Sequence, residues 1–216
     1  MALNKPLPSP LVIDALRDGL PAFLAGPSFG LVGTVAHEVQ LSRSATLPTY
    51  PDVLGPHLTP DHDWQEVFVL GLSDLQAGKD LKAAKSVAWR CFAGTMPGPL
   101  VACYVAFRHS AFKMTALTFG TRASNSLTDS EALDSLPQVQ TANYDLRFLR
   151  IPGLNLELFW LVSLSGASDL IIPSPSGPAQ LQRSLSNKPF FTSSDFLNIV
   201  RSLASKRLAH PATMGS

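Results

Sequence analysis

Two histidines and two aspartates lie close together in one proline-rich segment and could bind a metal ion. They are His57, Asp61, His62 and Asp63. Imidazole nitrogens and carboxylate oxygens are groups with which proteins hold divalent cations. The alternative is a solvated polar loop, in which Asp63 caps the element that follows. The four residues are the densest set of possible ligands in the chain, and we treat them as a candidate metal site. No motif in the chain predicts an organic cofactor.

A serine in a glycine-containing segment raises the possibility of nucleophilic catalysis. Gly26–Gly30 matches the G-x-S-x-G pattern, with Ser28 at the position of the nucleophile. That chemistry requires a sharp strand-to-helix turn above a parallel sheet. Neither flank has this pattern, and nothing in the sequence places His109 or His210 near Ser28 as a base. The pattern therefore favours a Gly/Pro turn over a catalytic serine.

Two cysteines, Cys91 and Cys103, form the third candidate chemical group. They could be a redox pair, or one of them could act as a nucleophile with His109 as its base. A reactive thiol needs a partly exposed, electropositive environment. Because both cysteines lie in alternating apolar segments, buried and unreactive thiols are the favoured interpretation. The sequence does not decide whether the two are bonded to each other.

The composition argues against several classes of partner. Of the 216 residues, 45% are hydrophobic and 15% are charged, and the formal net charge is +1. Such a chain has no overall field to attract nucleic acid, but it either buries much of itself or presents apolar surface to a partner. We expect no signal peptide, because no long apolar run follows the first lysine, and no membrane span, because no apolar run is long enough to form one. We therefore expect a cytoplasmic protein that binds no nucleic acid.

A stripe of apolar residues at alternate positions is the strongest structural pattern. Its members are Leu154, Leu156, Leu158, Trp160, Val162 and Leu164. A period of two is typical of a strand with one face buried. The intervening positions include Phe159 and Leu161, so the centre of the second face should also be covered. A return strand is expected at Leu170–Ile172.

An antiparallel meander is predicted in the middle of the chain. Ser86–Ala93 and Leu100–Arg108 both alternate, and a proline turn lies between them. If the turn centres on Pro97, Cys91 faces Cys103 and Trp89 faces Val105. Further strands are expected at residues 66–72, 112–119 and 144–151, and one at residues 29–41 is less clearly patterned.

Capping signals and helical spacing predict the helices. Helices are expected over Pro10–Arg17, over Asp74–Lys85, from Thr128 to Pro137, and after Thr192. In the last of these, Thr192 is the N-cap and Asp195 occupies the N3 position. Its buried stripe should consist of Phe196, Ile199, Val200 and Leu203.

These elements predict an α+β fold. It has a mainly antiparallel sheet of about six to eight strands, with a short N-terminal helix, one middle helix and a packed C-terminal amphipathic helix. We expect a single domain over residues 9–210, a flexible arm at 1–8 and a flexible tail at 211–216. Long loops are expected at residues 42–63 and 173–190.

The sequence leaves three classes of function open. The first is a non-catalytic interaction or assembly component that uses an apolar sheet face or sheet edge, with a protein partner or as a homo-oligomer. The second binds a small apolar ligand between sheet and helix. Its cavity would be lined by Trp160, Phe159, Leu161, Phe148 and Tyr104. The third and least favoured is a metal-dependent or serine-hydrolase-like enzyme.

Overall fold

The fold is α+β, with a mainly antiparallel sheet, as the sequence predicts. The computed structural model describes residues 3–25, 64–94, 100–119, 121–174 and 189–209, and within these ranges the sheet contains nine strands. The strands are β1 (Leu3–Asn4), β2 (Gln65–Val69), β3 (Lys85–Gly94), β4 (Leu100–Arg108), β5 (Ala111–Phe119), β6 (Tyr144–Ile151), β7 (Leu156–Ser163), β8 (Leu170–Pro173) and β9 (Phe191–Thr192). The α-helices of these ranges are α1 (Pro10–Ala25), α2 (Leu72–Gln76), α3 (Thr121–Ala132), α4 (Pro137–Thr141) and α5 (Ser193–Ala209).

The chain divides into two compact units. The first comprises residues 1–6, 65–87 and 128–216, and the second comprises residues 7–64 and 88–127. That residues 9–210 form a single domain stays a prediction.

The first unit is built around β6 and β7, whose register follows from the apolar stripe. The two strands pair antiparallel, with Phe148 opposite Phe159. β8 pairs with the other side of β7, and Ile171 lies opposite Trp160, which confirms the predicted return strand. β2 and the two-residue β1 both pair parallel to β6, and β9 pairs with β8. β1 lies inside the segment that the sequence suggested as an arm.

Helix α5 covers the even-numbered face of β7. Leu156, Leu158 and Trp160 belong to one buried cluster with Phe196 and Val200 of the helix. Thr192 Oγ1 accepts a hydrogen bond from the backbone N–H of Asp195 at 3.3 Å, which confirms the predicted N-cap. Packing of this helix removes Leu156, Leu158 and Trp160 from the surface, whereas Leu164, just beyond the end of β7, stays exposed.

The odd-numbered face of β7 is also buried. Phe159 and Leu161 are both 0% exposed. On the same side of the sheet, Gln65 of β2 donates a hydrogen bond from Nε2 to the buried Ser130 Oγ of α3 at 2.7 Å. Neither face of the central strand is therefore an open surface.

The second unit is an antiparallel meander of β3, β4 and β5 under helix α1. The registers place Cys91 opposite Cys103 and Trp89 opposite Val105, which confirms both predicted pairs. Val12, Leu16 and Leu20 of α1 are buried in one cluster with side chains of all three strands. Helix α3 contributes Ala123 to a smaller cluster with Phe92 and Ala102.

Helix α1 is longer than the sequence predicted. It begins at Pro10, as expected, but continues through Gly19 and Pro21 to Ala25. Gly19 is a packing residue and not a terminator. A Cβ atom at this position would lie 2.7 Å from Met114 Cβ of β5, so only glycine lets the helix approach the strand this closely.

The helix predicted over Asp74–Lys85 is wrong, because a glycine ends it early. Gly78 adopts φ +72°, and its N–H donates to the Leu75 carbonyl while the Lys79 N–H donates to the Asp74 carbonyl. This is a Schellman motif, which terminates an α-helix through a left-handed residue. The Lys79 ammonium group also donates a hydrogen bond to Asp74 Oδ1 at 2.7 Å and thereby lowers the pKa of that carboxyl group.

Two further boundaries differ from the predicted ones. Strand β7, which carries the apolar stripe, starts at Leu156, because residues 152–154 form a 3-10 turn and Asn155 adopts a left-handed φ of +53°. It ends at Ser163. Helix α3 starts at Thr121, seven residues before the predicted cap at Thr128. Pro137 follows the end of this helical region, as predicted, and it is also the first residue of the short helix α4.

Candidate interaction surface

A two-residue turn connects β4 and β5, which form a hairpin of the second unit. His109 and Ser110 join β4 to β5, with φ values of +50° and +69°. Two-residue hairpin turns with two positive φ angles match the twist of the flanking strands, and Asn-Gly is the usual sequence. Here neither residue is Asn or Gly, so the left-handed conformation destabilises the turn by about 1–2 kcal/mol per residue. The turn brings Arg108 opposite Ala111.

An aromatic pair, of which one member is exposed and the other partly buried, lies at the end of this hairpin. Phe107 and Phe112 are opposed in the register, and their rings meet edge to face with centroids 5.3 Å apart. Such a pair contributes about 0.5–1.5 kcal/mol beyond the area it buries, which offsets part of the cost of the turn. Phe107 nevertheless remains 59% exposed. We call these two residues the hairpin pair.

Strand β5 is an edge strand of the second unit. It pairs with β4 on one side, and among the described residues no strand pairs with its other side. Lys113 is the only charged residue in the nine-residue strand, and Lys113, Thr115 and Ala116 are exposed. Unpaired N–H and C=O groups along such an edge can accept another strand. We call this side of β5 the outer edge.

Two features limit how far an added strand could run along the outer edge. The register shifts between Tyr104 and Val105, which makes Thr115 the extra residue of a β-bulge, and Thr115 Oγ1 donates to the Tyr104 carbonyl at 3.3 Å. Bulges and edge lysines are common devices against unrestricted strand pairing. Contact at this edge is therefore expected to be short, with the hairpin pair supplying apolar area.

Three of the predicted ligand-lining residues are packed into the first unit. Phe148 and Phe159 meet edge to face with centroids 5.9 Å apart, and both are 0% exposed. Leu161 is equally buried and lies on the same face of β7 as Phe159. These side chains already contact protein, but a ligand-binding role for them remains an untested prediction.

Trp160 points to the opposite face of β7 and is tied into a different set of contacts. Its ring lies edge to face with Phe68 at 5.6 Å, and the guanidinium group of Arg147 lies 5.1 Å from its centroid. The indole N–H donates to Asp169 Oδ2 at 3.0 Å, and Asp169 Oδ1 accepts from the Ser163 backbone N–H. These partners satisfy the polar end of a buried tryptophan.

Tyr104, the fifth predicted lining residue, belongs to the second unit. It lies on β4 and packs, partly buried, beside the cluster of Phe92, Ala102 and Ala123. The alternation along β4 places it on the face opposite Cys103.

The candidate catalytic and metal-binding residues fall mostly outside the described part of the chain. The structure does not describe six of these residues, namely Ser28, His57, Asp61, His62, Asp63 and His210. Within the described ranges, no group of three or more His, Cys, Asp or Glu side chains is arranged to hold a metal ion. The metal site at residues 57–63 stays a prediction.

Little in the sequence indicates the hairpin pair. His-Ser is not a typical two-residue turn, so the sequence does not signal a hairpin at this point. A weak signal does exist, because Phe107 and Phe112 flank the turn symmetrically and must therefore face each other. Exposure could not be inferred, since it depends on which other elements cover the hairpin in the folded protein.

Comparison with known proteins does not assign a family. The chain matches no protein-family model, no curated protein and no solved structure. In the described ranges, no helix combines the length and the apolar character needed to cross a membrane.

Proposed function

We propose that this protein is a non-catalytic assembly component that associates with a second copy of itself through the hairpin pair and the outer edge of β5. The observation that carries the proposal is Phe107, a large aromatic residue that is 59% exposed at the end of an edge hairpin. An exposed aromatic side chain beside an edge strand, which no other strand pairs within the described ranges, offers both apolar area and hydrogen bonds to a partner.

A second copy is the partner that fits this surface best. An antiparallel edge is self-complementary, so a two-fold axis can pair two copies of the same strand. Lys113 is the only charged residue of β5, and the whole chain has a net charge of +1, so two copies repel each other weakly. The bulge at Thr115 shortens the paired stretch, and the association should therefore be reversible and depend on concentration.

Light scattering after size exclusion tests the proposal with a matched pair of variants. The wild-type mass should rise from one chain towards two chains with increasing concentration. Phe107→Asp should remain a single chain, because the new carboxylates would be desolvated at the contact. Leu164→Asp places the same charge at a residue that is 56% exposed in the other unit, and it should associate like the wild type.

Two results would count against the proposal. One is a wild-type protein that stays a single chain at every concentration. The other is a Phe107→Asp variant that associates as strongly as Leu164→Asp. Circular dichroism of all three proteins should be the same, since both substituted residues are exposed.

A further inference from the structure

Two free cysteines face each other across adjacent strands. Cys91 of β3 and Cys103 of β4 are direct partners in the antiparallel register. Directly opposed residues in such strands have Cα atoms about 4.5 or 5.5 Å apart, depending on the hydrogen-bonding position. A disulfide spans Cα separations of about 4.4–6.8 Å. Both positions lie within the Cα range of a disulfide, and the hydrogen bond between the two thiols shows that the side chains point towards each other.

The environment of Cys91 favours its thiol form. A hydrogen bond with the Cys103 thiol, reinforced by burial, raises the pKa of Cys91 well above its usual range. Thiolate is the attacking species in disulfide chemistry, so oxidation of the folded protein should be slow. Cys91 and Cys103 are 1% and 0% exposed, and Val12 and Leu16 of α1 lie in the same cluster.

We propose that Cys91 and Cys103 form a redox-responsive pair that closes into a cross-strand disulfide when a small oxidised disulfide, such as oxidised glutathione, reaches it. One thiolate attacks the small disulfide, whose S–S bond breaks and releases one small thiol. The second protein thiolate then attacks the mixed disulfide, forms the Sγ–Sγ bond and releases the second small thiol. Two electrons pass from the protein to the oxidant, and the two thiol protons leave with the small thiols.

The closed bond should act as a clamp on the second unit. It would link β3 covalently to β4 and close a loop from residue 91 to residue 103. A cross-link of this kind restricts the unfolded chain and raises the melting temperature, provided that the native geometry accommodates it. Because α1 covers the sulfurs, entry of the oxidant depends on local opening of this helix.

The test begins with unfolded full-length protein, so that burial cannot prevent the reaction. The chain is refolded in a buffer of reduced and oxidised glutathione, and the product is examined by intact mass and by peptide mapping. We expect a native-like protein that has lost two hydrogens, a peptide pair joined through Cys91 and Cys103, and a melting temperature several degrees above that of the reduced protein.

A matched variant separates the clamp from other effects of the buffer. Cys103→Ala should show no change in melting temperature between oxidised and reduced buffers, and Cys91→Ala serves the same purpose if the first variant folds poorly. The proposal is overturned if refolded wild-type protein keeps two free thiols or carries two glutathione adducts. It is equally overturned if the bond forms only in molecules that have lost the native fold.

Discussion

Replacing Phe196 with alanine is expected to lower the free energy of unfolding by about 3–5 kcal/mol. Phe196 is 0% exposed and lies in the first turn of α5, where it packs in the cluster that contains Leu158 and Trp160. The substitution loses the transfer free energy of the ring and leaves a cavity between helix and sheet. The helix cannot close this gap freely, because Thr192 caps it and Arg201 donates hydrogen bonds to the Gly78 and Lys79 carbonyls.

Urea denaturation of the variant and of a control on the same helix checks this prediction. Leu208 is 42% exposed near the other end of α5, and Leu208→Ala should change the free energy of unfolding by no more than about 0.5 kcal/mol. A loss below about 1 kcal/mol for Phe196→Ala would show that α5 does not cover the even face of β7 as described.

The second large loss of stability is expected when Gly19 is replaced. Gly19→Val should destabilise the second unit by about 2–3 kcal/mol, because the new Cβ would lie 2.7 Å from Met114 Cβ. Both Cβ atoms are attached directly to backbone, so no rotamer change relieves the overlap and α1 must move away from β5. Removing glycine from a helix gains at most about 1 kcal/mol in propensity, so the steric cost dominates.

The neighbouring residue provides the control for helix propensity. Asp18 is exposed one position earlier in α1, and Asp18→Val introduces the same side chain without the overlap. Thermal denaturation should show a clearly larger decrease in melting temperature for Gly19→Val than for Asp18→Val. Equal decreases would mean that the close approach of α1 to β5 does not determine stability.

Local patterns predicted much of the fold. The bounds of β4 and β6 followed from period-two alternation, and the Cys91–Cys103 register followed from a turn centred on Pro97. The cap of α5 followed from Thr192 and Asp195. These features depend on neighbours in sequence or on a single turn. The extent of α1 did not follow, because Gly19 looks like a helix terminator until Met114 is placed against it.

The candidate surface was harder to predict than the fold. Phe159 and Leu161, which alternate with the apolar stripe, were predicted to line a ligand site, but both are 0% exposed and packed against protein. Phe107 gave no signal for a binding face, because an aromatic residue in an alternating strand normally suggests core. Only the tertiary arrangement separates the residues that pack inside from those that face outward.

Hydrogen exchange of the wild-type protein at low and high concentration tests the assembly surface most directly. Backbone amides of β5, Ala111–Phe119, should exchange more slowly at high concentration, because a second copy covers the outer edge. Amides of β7, Leu156–Ser163, lie between two paired strands and should exchange at the same rate in both samples. Exchange of β5 amides that is independent of concentration would contradict association through this hairpin.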